Sequence, residues 1–380
     1  MNKFKLLATT AFGTEGITKK EVDRLGFKNI SVENGRVYFE TDQRGLIQSN
    51  LWLRTASKIY WVIGSFESHT FSELYDSVHE LPWDEILNKN ATMLVNAKSV
   101  KSELHSLSSI QSISKKAIVD KLQDQLACEE LPEDAEDYEI LIDILKDQVT
   151  VRINTTGEGL FKRGYRLENN EAPLRETLAS TLVDVTNWKA KIPLIDPMCG
   201  TGTILIEAAM YGRNMAPGVD RKFAFEDWPF IKDYVVAAER KKAKAQVVDR
   251  DMIIKGFDKD PEVIEVAKAN AERAGVGDYI TFECRDLKDF ETDIEYGYLI
   301  SNPPYGERLG NYETAEEINE ILGKLFRNEL KTWSMYIFTA FDKFEEVFGK
   351  KATKNRKLYN GKLKCYFYQY YGPRPPKNRL

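Results

Sequence analysis

The chain has 380 residues, of which 42% are hydrophobic and 30% are charged, and its formal net charge is −5. These values exclude a disordered chain and a miniprotein, and at about 150 residues per domain they allow two or three domains. The first residues contain too short an apolar stretch for a signal peptide, and no run reaches the roughly 18 apolar residues of a membrane helix, so we expect a cytoplasmic protein outside the membrane.

The amino-terminal half predicts a mixture of short helices and strands. Strand-like patterns occur in KFKLLATTAFG and SVENGRVYFETD, and the amphipathic spacing of a helix occurs between them in EGITKKEVDRLGF. This small α/β unit ends near residue 55. Residues 56–166 repeat the mixture, with helical patterns near 71–89 and 108–126 and strand-like runs in TMLVNAKSV, YEILIDILKDQVTVRINTT and GLFKRGYR.

From about residue 170 the pattern changes to apolar strands that alternate with helices. Strands are predicted in IPLID, MIIKGFD, ITFECRD, YGYLISN and WSMYIFTA. Such alternation is typical of a mostly parallel sheet covered by helices on both faces, so we expect a doubly wound α/β domain. Ligands of these sheets bind beyond the carboxyl ends of the strands, so we expect the site residues in the segments that follow the strands.

A glycine turn follows the first of these strands, in the letters DPMCGTGT that contain Asp196, Gly200, Gly202 and Thr203. Glycines without side chains let a ligand approach the backbone and the amino terminus of the next helix. A tight strand-to-helix turn without a ligand is the alternative interpretation.

Aspartates close the next two strands. Asp258 follows MIIKGF and could accept hydrogen bonds from both hydroxyls of a ribose, although it could also be a helix cap. Asp220 is nearer to the spacing of about 20 residues in the dinucleotide fingerprint, but no strand precedes it, and residues 211–245 have the character of an insertion. Asp286 follows ITFECR and could accept a hydrogen bond from an exocyclic amine such as that of adenine, or be a plain surface carboxylate.

The fourth strand ends in SNPPYGERLG, which predicts a stiff loop. Pro303 and Pro304 fix two φ angles near −65° and push each preceding residue out of the helical region. Four successive strand ends thus carry D-x-x-x-G-x-G, D, D and N-P-P-Y. This conjunction resembles the class I S-adenosylmethionine-dependent methyltransferases that modify amino groups. The resemblance places the cofactor S-adenosylmethionine against Asp196, Gly200, Gly202, Thr203, Asp258, Asp286 and Asn302.

The same resemblance makes Asn302, Pro303, Pro304 and Tyr305 the catalytic loop. The Asn302 side-chain oxygen and the Pro303 carbonyl could each accept an N–H of the target amine, and Tyr305 could stack on a flipped-out base. No strong base is needed, which fits a chain whose histidines all lie before residue 106. The four cysteines are far apart and include no C-x-x-C pair, so neither a metal site nor a disulfide is expected.

Three longer segments narrow the resemblance: NPPYGERLG, GLFKRGYR at residues 159–166 and APLRETLA at residues 172–179. Together they are similar to the L-type 23S rRNA guanine-N2 methyltransferases, which carry a THUMP RNA-binding domain. The resemblance implies a ferredoxin-like piece at 1–55, a THUMP domain at 56–166 and a Rossmann-like methyltransferase domain at 167–380.

The implied substrate is a guanine N2 amine in 23S rRNA or a ribosomal assembly intermediate. A tRNA guanine is the nearest alternative, and a protein glutamine or adenine N6 is a further one. Residues 350–380 contain ten basic and no acidic side chains, which indicates either a solvated face or a phosphate-contacting patch. Other basic residues that could contact RNA are Lys98, Lys101, Lys115, Lys116, Arg163 and Arg166. The aromatic run CYFYQYY at residues 365–371 is expected to be a core strand.

Overall fold

A computed structural model describes residues 3–166, 174–306 and 312–374. The strands in these stretches are β1 (Phe4–Thr10), β2 (Lys28–Glu33), β3 (Arg36–Thr41), β4 (Ala56–Glu67), β5 (Thr92–Val100), β6 (Asp137–Leu145), β7 (Gln148–Asn154), β8 (Leu194–Asp196), β9 (Ile254–Asp258), β10 (Thr281–Cys284), β11 (Tyr298–Ser301), β12 (Ser334–Thr339), β13 (Lys354–Asn360) and β14 (Leu363–Tyr370). The helices are α1 (Glu15–Arg24), α2 (Gln43–Trp52), α3 (Phe71–His79), α4 (Trp83–Ile86), α5 (Leu107–Leu126), α6 (Glu176–Thr186), α7 (Thr203–Gly212), α8 (Asp233–Ala245), α9 (Pro261–Arg273), α10 (Tyr312–Asn328) and α11 (Phe344–Phe348). Among the described residues, no helix is both long enough and apolar enough to cross a membrane.

The amino-terminal half forms one seven-stranded sheet in the order β2-β3-β1-β4-β7-β6-β5. Strand β4 pairs antiparallel with β1 on one side and with β7 on the other, so it joins the first unit to the second. The division at residue 55 therefore falls just before a strand that both parts share. That boundary and the one at residue 166 stay predictions.

Three local features differ from the sequence-based expectation. The segment SVENGRVYFETD is a hairpin of two strands rather than one strand, and it turns at Gly35 with φ +71°. The helical pattern near 71–89 is broken into α3 and α4 around Pro82, whose missing N–H cannot continue a helix. Residues 159–166, expected as a strand, form none.

The insertion at residues 211–245 packs on the amino-terminal sheet. Phe223, Phe225 and Trp228 are buried in the same hydrophobic core as Trp61 of β4 and Tyr138 of β6. The Trp228 ring stacks on Tyr138 with centroids 5.2 Å apart. The insertion lies within the sequence of the second sheet, but its aromatic side chains pack in the core of the first sheet. It therefore holds the two sheets together.

The second sheet has the order β10-β9-β8-β11-β12-β14-β13. Its pairs from β10 to β12 are parallel, and β14 runs antiparallel to both of its neighbours, β12 and β13. This is the expected doubly wound sheet with one reversed strand near its edge. The strand order changes direction between β8 and β11, and a crevice for a ligand is expected beyond the carboxyl ends of these strands.

Candidate functional site

The carboxyl ends of β8, β9, β10 and β11 open into a cleft of about 1730 Å³. The predicted site residues in its lining are Gly200, Asp258, Asp286, Asn302, Pro303, Pro304 and Tyr305. Three others, Asp196, Gly202 and Thr203, are buried next to this lining, and their contribution to cofactor binding stays a prediction. The sequence motifs from four separate strand ends thus meet in one place.

The glycine turn leaves space for a ligand at Gly200 and none at Gly202. Both have positive φ angles, +53° and +81° respectively, which favour glycine. A Cβ on Gly200 would meet no atom within 4 Å, and so it would occupy the cleft itself. A Cβ on Gly202 would lie 3.0 Å from the Phe282 ring and 3.3 Å from the Cβ of Ala267, so this glycine allows the close packing under α7.

Asp196 is buried at the end of β8 and holds the turn from behind. Its Oδ1 accepts a hydrogen bond from the Met198 N–H at 3.1 Å. Burial raises the pKa of this carboxyl to about 7, and the nearby Asp258 carboxylate adds to the rise. A carboxyl so placed stabilises the turn when a proton or a donor compensates its charge.

Asp258 lines the cleft and joins two of the strand ends. Its Oδ2 accepts the Gly200 N–H at 3.0 Å, and its Oδ1 accepts the Asp260 N–H at 3.2 Å. Asp220, the alternative from sequence spacing, does not line the cleft and forms an exposed ion pair with Lys244 at 2.8 Å. The geometry therefore favours Asp258 over Asp220 for contact with a bound ligand.

Asp286 follows β10 and is half-buried at the edge of the cleft. Its Oδ1 accepts the Lys288 N–H at 2.9 Å, which caps a short helical turn. The carboxylate is thereby held with a fixed orientation in the cleft wall, where an acceptor could recognise an amine.

The loop after β11 holds its polar groups close together. Pro303 is buried, and the Tyr305 ring packs edge-on against Phe338 with centroids 6.4 Å apart. The Tyr305 hydroxyl donates a hydrogen bond to Oδ1 of Asn302. Glu307 and Arg308 of the same motif lie outside the described residues.

The cleft has a second wall that the strand-end pattern did not reveal. The linker after the first sheet contributes Phe161 and Arg166, and residues 221–224 of the insertion lie beside them. Arg166 Nη2 donates to Thr203 Oγ1 at 2.6 Å, and its Nη1 lies 3.7 Å from Oε1 of the buried Glu176. GLFKRGYR and APLRETLA mark this wall in the sequence, although Ala172 and Pro173 lie outside the described residues.

Arg163, considered above as a phosphate contact, is buried and has a structural role. Its Nε lies 3.4 Å from Oε1 of Glu207 on α7, and its Nη1 donates to the Leu160 carbonyl at 2.7 Å. Tyr165 donates a hydrogen bond to the same Glu207 oxygen at 3.1 Å. The 1% exposure of the Arg163 side chain favours this structural role over a phosphate contact, although Arg163 also belongs to the lining of the cleft.

The other basic candidates differ in their surroundings. Lys115 pairs with Glu133 at 2.9 Å and Lys116 pairs with Asp120 at 2.5 Å, whereas Lys98 and Lys101 are exposed. The aromatic run at residues 365–371 falls largely in β14, where Phe367, Tyr368 and Tyr370 are buried, as expected for a core strand.

The cleft fits S-adenosylmethionine by three independent features. The space in front of Gly200 admits a ligand to the backbone, and acceptors for hydroxyl and amine groups stand at the ends of β9 and β10. The groups in the described lining that could bind a ligand through lone pairs include carboxylate, amide and carbonyl oxygens, and no cysteine or histidine is among them. Such a set suits an organic nucleoside better than a transition metal.

Comparisons with known proteins agree with this fit. Residues 5–60 match the RlmL ferredoxin-like domain family, residues 68–154 the THUMP domain family and residues 163–369 the RMKL-like methyltransferase domain family. YpsC of Bacillus subtilis (strain 168), a candidate RNA methyltransferase, is 43% identical over 382 residues, which cover 100% of this chain and 99% of YpsC.

Two crystal structures resemble the whole chain. SMU.472, a candidate methyltransferase solved in complex with S-adenosylhomocysteine (SAH), has a TM-score of 0.94 and 45% identity, with 99% of this chain and 100% of that chain covered. A protein of Listeria monocytogenes strain 4b F2365, named a predicted N6-adenine-specific DNA methylase, has a TM-score of 0.94 and 45% identity, with coverages of 98% and 97%. The chain therefore belongs to the RMKL-like methyltransferase family, with ferredoxin-like and THUMP domains before a class I catalytic domain that uses S-adenosylmethionine.

Proposed function

We propose that this methyltransferase acts on RNA and modifies the exocyclic N2 amine of a guanine in 23S rRNA, free or in an assembly intermediate. The observation that carries the proposal is the meeting of the glycine turn, two carboxylates and the N-P-P-Y loop in one cleft. The THUMP match and the likeness to YpsC support an RNA substrate. Guanine N2 and 23S rRNA rest on the resemblance of three sequence segments to the L-type enzymes. A 23S rRNA substrate would place the reaction in the cytoplasm.

The cofactor side of the cleft would work through fixed acceptors. S-adenosylmethionine, when bound, supplies a methyl group on a positively charged sulfur, which is a strong electrophile. We infer that Asp258 accepts the ribose hydroxyls and that Asp286 accepts the adenine amine, since each faces the cleft and is held by a backbone N–H. Asp196, Gly202 and Thr203 would support this side.

The substrate side would work by orienting the amine. The Oδ1 atom of Asn302 and the carbonyl oxygen of Pro303 would accept the two N–H groups, and this favours the pyramidal amine whose lone pair can attack. Pro303 and Pro304 keep these acceptors in place without induced movement. Tyr305 would hold the base by stacking. No histidine occurs in the described lining of the cleft, so the proton released after transfer would pass to water.

The test is methyl transfer from labelled S-adenosylmethionine to unmodified 23S rRNA and, separately, to tRNA. The products are digested to nucleosides and separated by chromatography. Label in N2-methylguanosine from 23S rRNA would support the whole proposal. Label in N2-methylguanosine from tRNA alone would support guanine N2 as the target amine and would replace 23S rRNA with tRNA as the substrate.

One observation favours a different amine. The Listeria structure is named for adenine N6, and an N-P-P-Y loop can in principle orient either amine. Label in N6-methyladenosine would therefore overturn the guanine assignment while it preserved the cleft chemistry. Asn302→Ala protein, run in parallel, should lose the label in every case and so exclude a contaminating activity.

A further inference from the structure

The hairpin of β13 and β14 is basic in an acidic chain. Between residues 350 and 374 the sequence has no aspartate or glutamate, although the chain has a net charge of −5. Its basic side chains there are Lys350, Lys351, Lys354, Arg356, Lys357, Lys362, Lys364 and Arg374. A local excess of positive charge attracts a polyanion even where the whole protein is acidic.

Lysines and tyrosines alternate on one face of this hairpin. The cross-strand register pairs Lys357 with Tyr366 and Tyr359 with Lys364. The Nζ of Lys357 lies 5.4 Å from the Tyr359 ring centroid, and the Nζ of Lys364 lies 5.7 Å from the Tyr366 ring centroid. Both lysines are exposed and both tyrosines are partly exposed. Interleaved cations and rings are the pattern by which proteins bind single-stranded nucleic acid without reading its sequence.

These lysines are also available to a ligand. Lys357, Lys362 and Lys364 form no ion pair with the described residues, whereas Lys115 in the first half is paired with Glu133 at 2.9 Å. A face that is only solvated needs nothing but water around its lysines. Such a face would give no reason for tyrosine rings between the lysines.

The hairpin tip reaches the candidate active site. Strand β14 pairs with β12 only as far as Tyr366, opposite Thr339, so the tip projects beyond the sheet at the carboxyl edge. Asn360, Gly361 and Leu363 of the tip line the active-site cleft. A strand bound along the hairpin would therefore lead directly to the target nucleotide.

A second cavity, of about 570 Å³, continues from the cleft at this point. The two cavities share Arg175, Asn360 and Gly361 in their linings. The second is also lined by Tyr359, Lys362 and Phe12, and Phe12 is 60% exposed. The rings of Phe12 and Tyr359 could hold the base of a single nucleotide in this cavity. The cations of Arg175 and Lys362 could hold its phosphate.

We propose that the β13–β14 hairpin and the second cavity bind the single-stranded RNA that flanks the target nucleotide. Lys357, Lys362 and Lys364 contact its phosphates, and Tyr359 and Phe12 hold one flanking base. This inference takes one element from the proposed function, namely that the substrate is RNA. It is independent of which amine is methylated and of which RNA carries it.

The test measures binding of a fluorescein-labelled single-stranded RNA of about 12 nucleotides, and of the matching duplex, by anisotropy at several salt concentrations. The variants are Lys357→Glu/Lys364→Glu and Tyr359→Leu, with Tyr359→Phe as the conservative rescue. The matched control is Lys191→Glu/Lys331→Glu, because these exposed lysines precede β8 and β12 at the opposite end of the sheet. Calorimetry with S-adenosylhomocysteine confirms that each variant is folded at the cofactor site.

We expect the hairpin double variant to bind the single strand at least about tenfold more weakly and to lower the salt slope by about 1.4, which corresponds to two phosphate contacts. Tyr359→Leu should weaken binding by at least about fivefold, and Tyr359→Phe should restore it, because stacking requires the ring and not the hydroxyl. The lysine control should bind as the wild type does.

Two results would overturn the inference: equal affinity of the hairpin and control variants, or preference of the wild type for the duplex. Failure of the proposed function is visible separately. If the wild type methylates another amine or another RNA while the hairpin variants lose affinity, the proposal of guanine N2 in 23S rRNA fails. The proposal that the hairpin binds RNA then still holds. If N2-methylguanosine forms in 23S rRNA and the hairpin variants bind RNA normally, only the proposal that the hairpin binds RNA fails.

Discussion

The Tyr305 hydroxyl donates a hydrogen bond to the Oδ1 atom of Asn302, so the loop after β11 closes on itself without a substrate. In the proposed reaction the target amine uses this same oxygen as its acceptor. Substrate binding then exchanges one hydrogen bond for another, and the net cost is small. Tyr305 therefore keeps the acceptor satisfied until a base arrives.

The first prediction separates the ring of Tyr305 from its hydroxyl. Tyr305→Phe removes the competing donor and keeps the ring, so we expect an unchanged or lower KM for RNA and a kcat within about threefold of wild type. Tyr305→Leu removes the ring and should raise KM by about fivefold or more, because stacking is worth roughly 1 to 3 kcal/mol per base. Steady-state kinetics on the RNA identified above provide the measurement. Equal KM values for the two variants would contradict the stacking role.

The second prediction concerns Asn302 itself. Asn302→Ala should lower kcat by about 100-fold or more, because one of two preorganised acceptors for the amine is lost. Affinity for S-adenosylhomocysteine, measured by calorimetry, should stay within about threefold of wild type if Asn302 acts mainly on the substrate. The control is Asn328→Ala, since Asn328 is exposed at the end of α10. Near-normal turnover of the Asn302 variant would remove this residue from the mechanism.

The third prediction contrasts Asp258 with Asp220. Asp258→Asn should weaken cofactor binding by about tenfold or more, because a charged acceptor contributes roughly 1.5 to 3 kcal/mol. Asp220→Asn should change it little, since Asp220 is exposed and lies outside the cleft lining. Because Asp258 also accepts the Gly200 N–H, circular dichroism and thermal unfolding check that each variant is folded as a whole. The reverse ranking of the two affinities would return the ribose contact to Asp220.

Much of the site was predictable because its residues follow apolar strands. Parallel strands bring their carboxyl ends to one edge, so Gly200, Asp258, Asp286 and Asn302 had to meet once the alternation of strands and helices was recognised. The pairing of Tyr305 with Asn302 was not predictable in the same way, because it depends on side-chain torsions rather than on strand order.

The interface between the two sheets was not predictable from sequence patterns, for a different reason. Whether Arg163 faces solvent or Glu207 depends on how the two sheets dock, and no periodicity records that arrangement. The same docking buries Trp228 of the insertion against Tyr138, which lies 90 positions earlier in the chain. The turn at Gly35, by contrast, carried a local signal in Asn34-Gly35, a pair typical of hairpins.

The fourth prediction tests the buried charge at this interface. Arg163 and Glu207 have side chains that are only 1% and 0% exposed. Removing one member of such a pair leaves a buried charge, so Arg163→Met should lower the free energy of unfolding by about 3 to 5 kcal/mol. Arg163→Met/Glu207→Gln should recover part of that loss, and urea unfolding measures both. If Arg163 contacted RNA instead, its variant would keep wild-type stability and lose affinity for the single-stranded probe.

The fifth prediction follows from the burial of Asp196, which raises the pKa of its carboxyl to about 7 in the folded protein. In the unfolded chain the pKa returns to its ordinary value of about 3.9. The folded state therefore holds this proton more tightly, and the stability it contributes falls as the pH rises from about 4 to about 7, then stays constant. Asp196→Asn cannot titrate, so its stability relative to wild type should increase across that window by at most about 1.4 kcal/mol per pH unit.

Thermal unfolding of wild type and Asp196→Asn at about pH 5, 6, 7 and 8 measures this difference, because the substitution removes the one buried carboxyl of the turn and leaves the rest of the sequence unchanged. A constant difference between the two proteins over this range would mean that the buried carboxyl is already ionised at about pH 5. The turn would then have to hold a full negative charge beside Asp258, and a positively charged group of the bound cofactor would be expected to stabilise it.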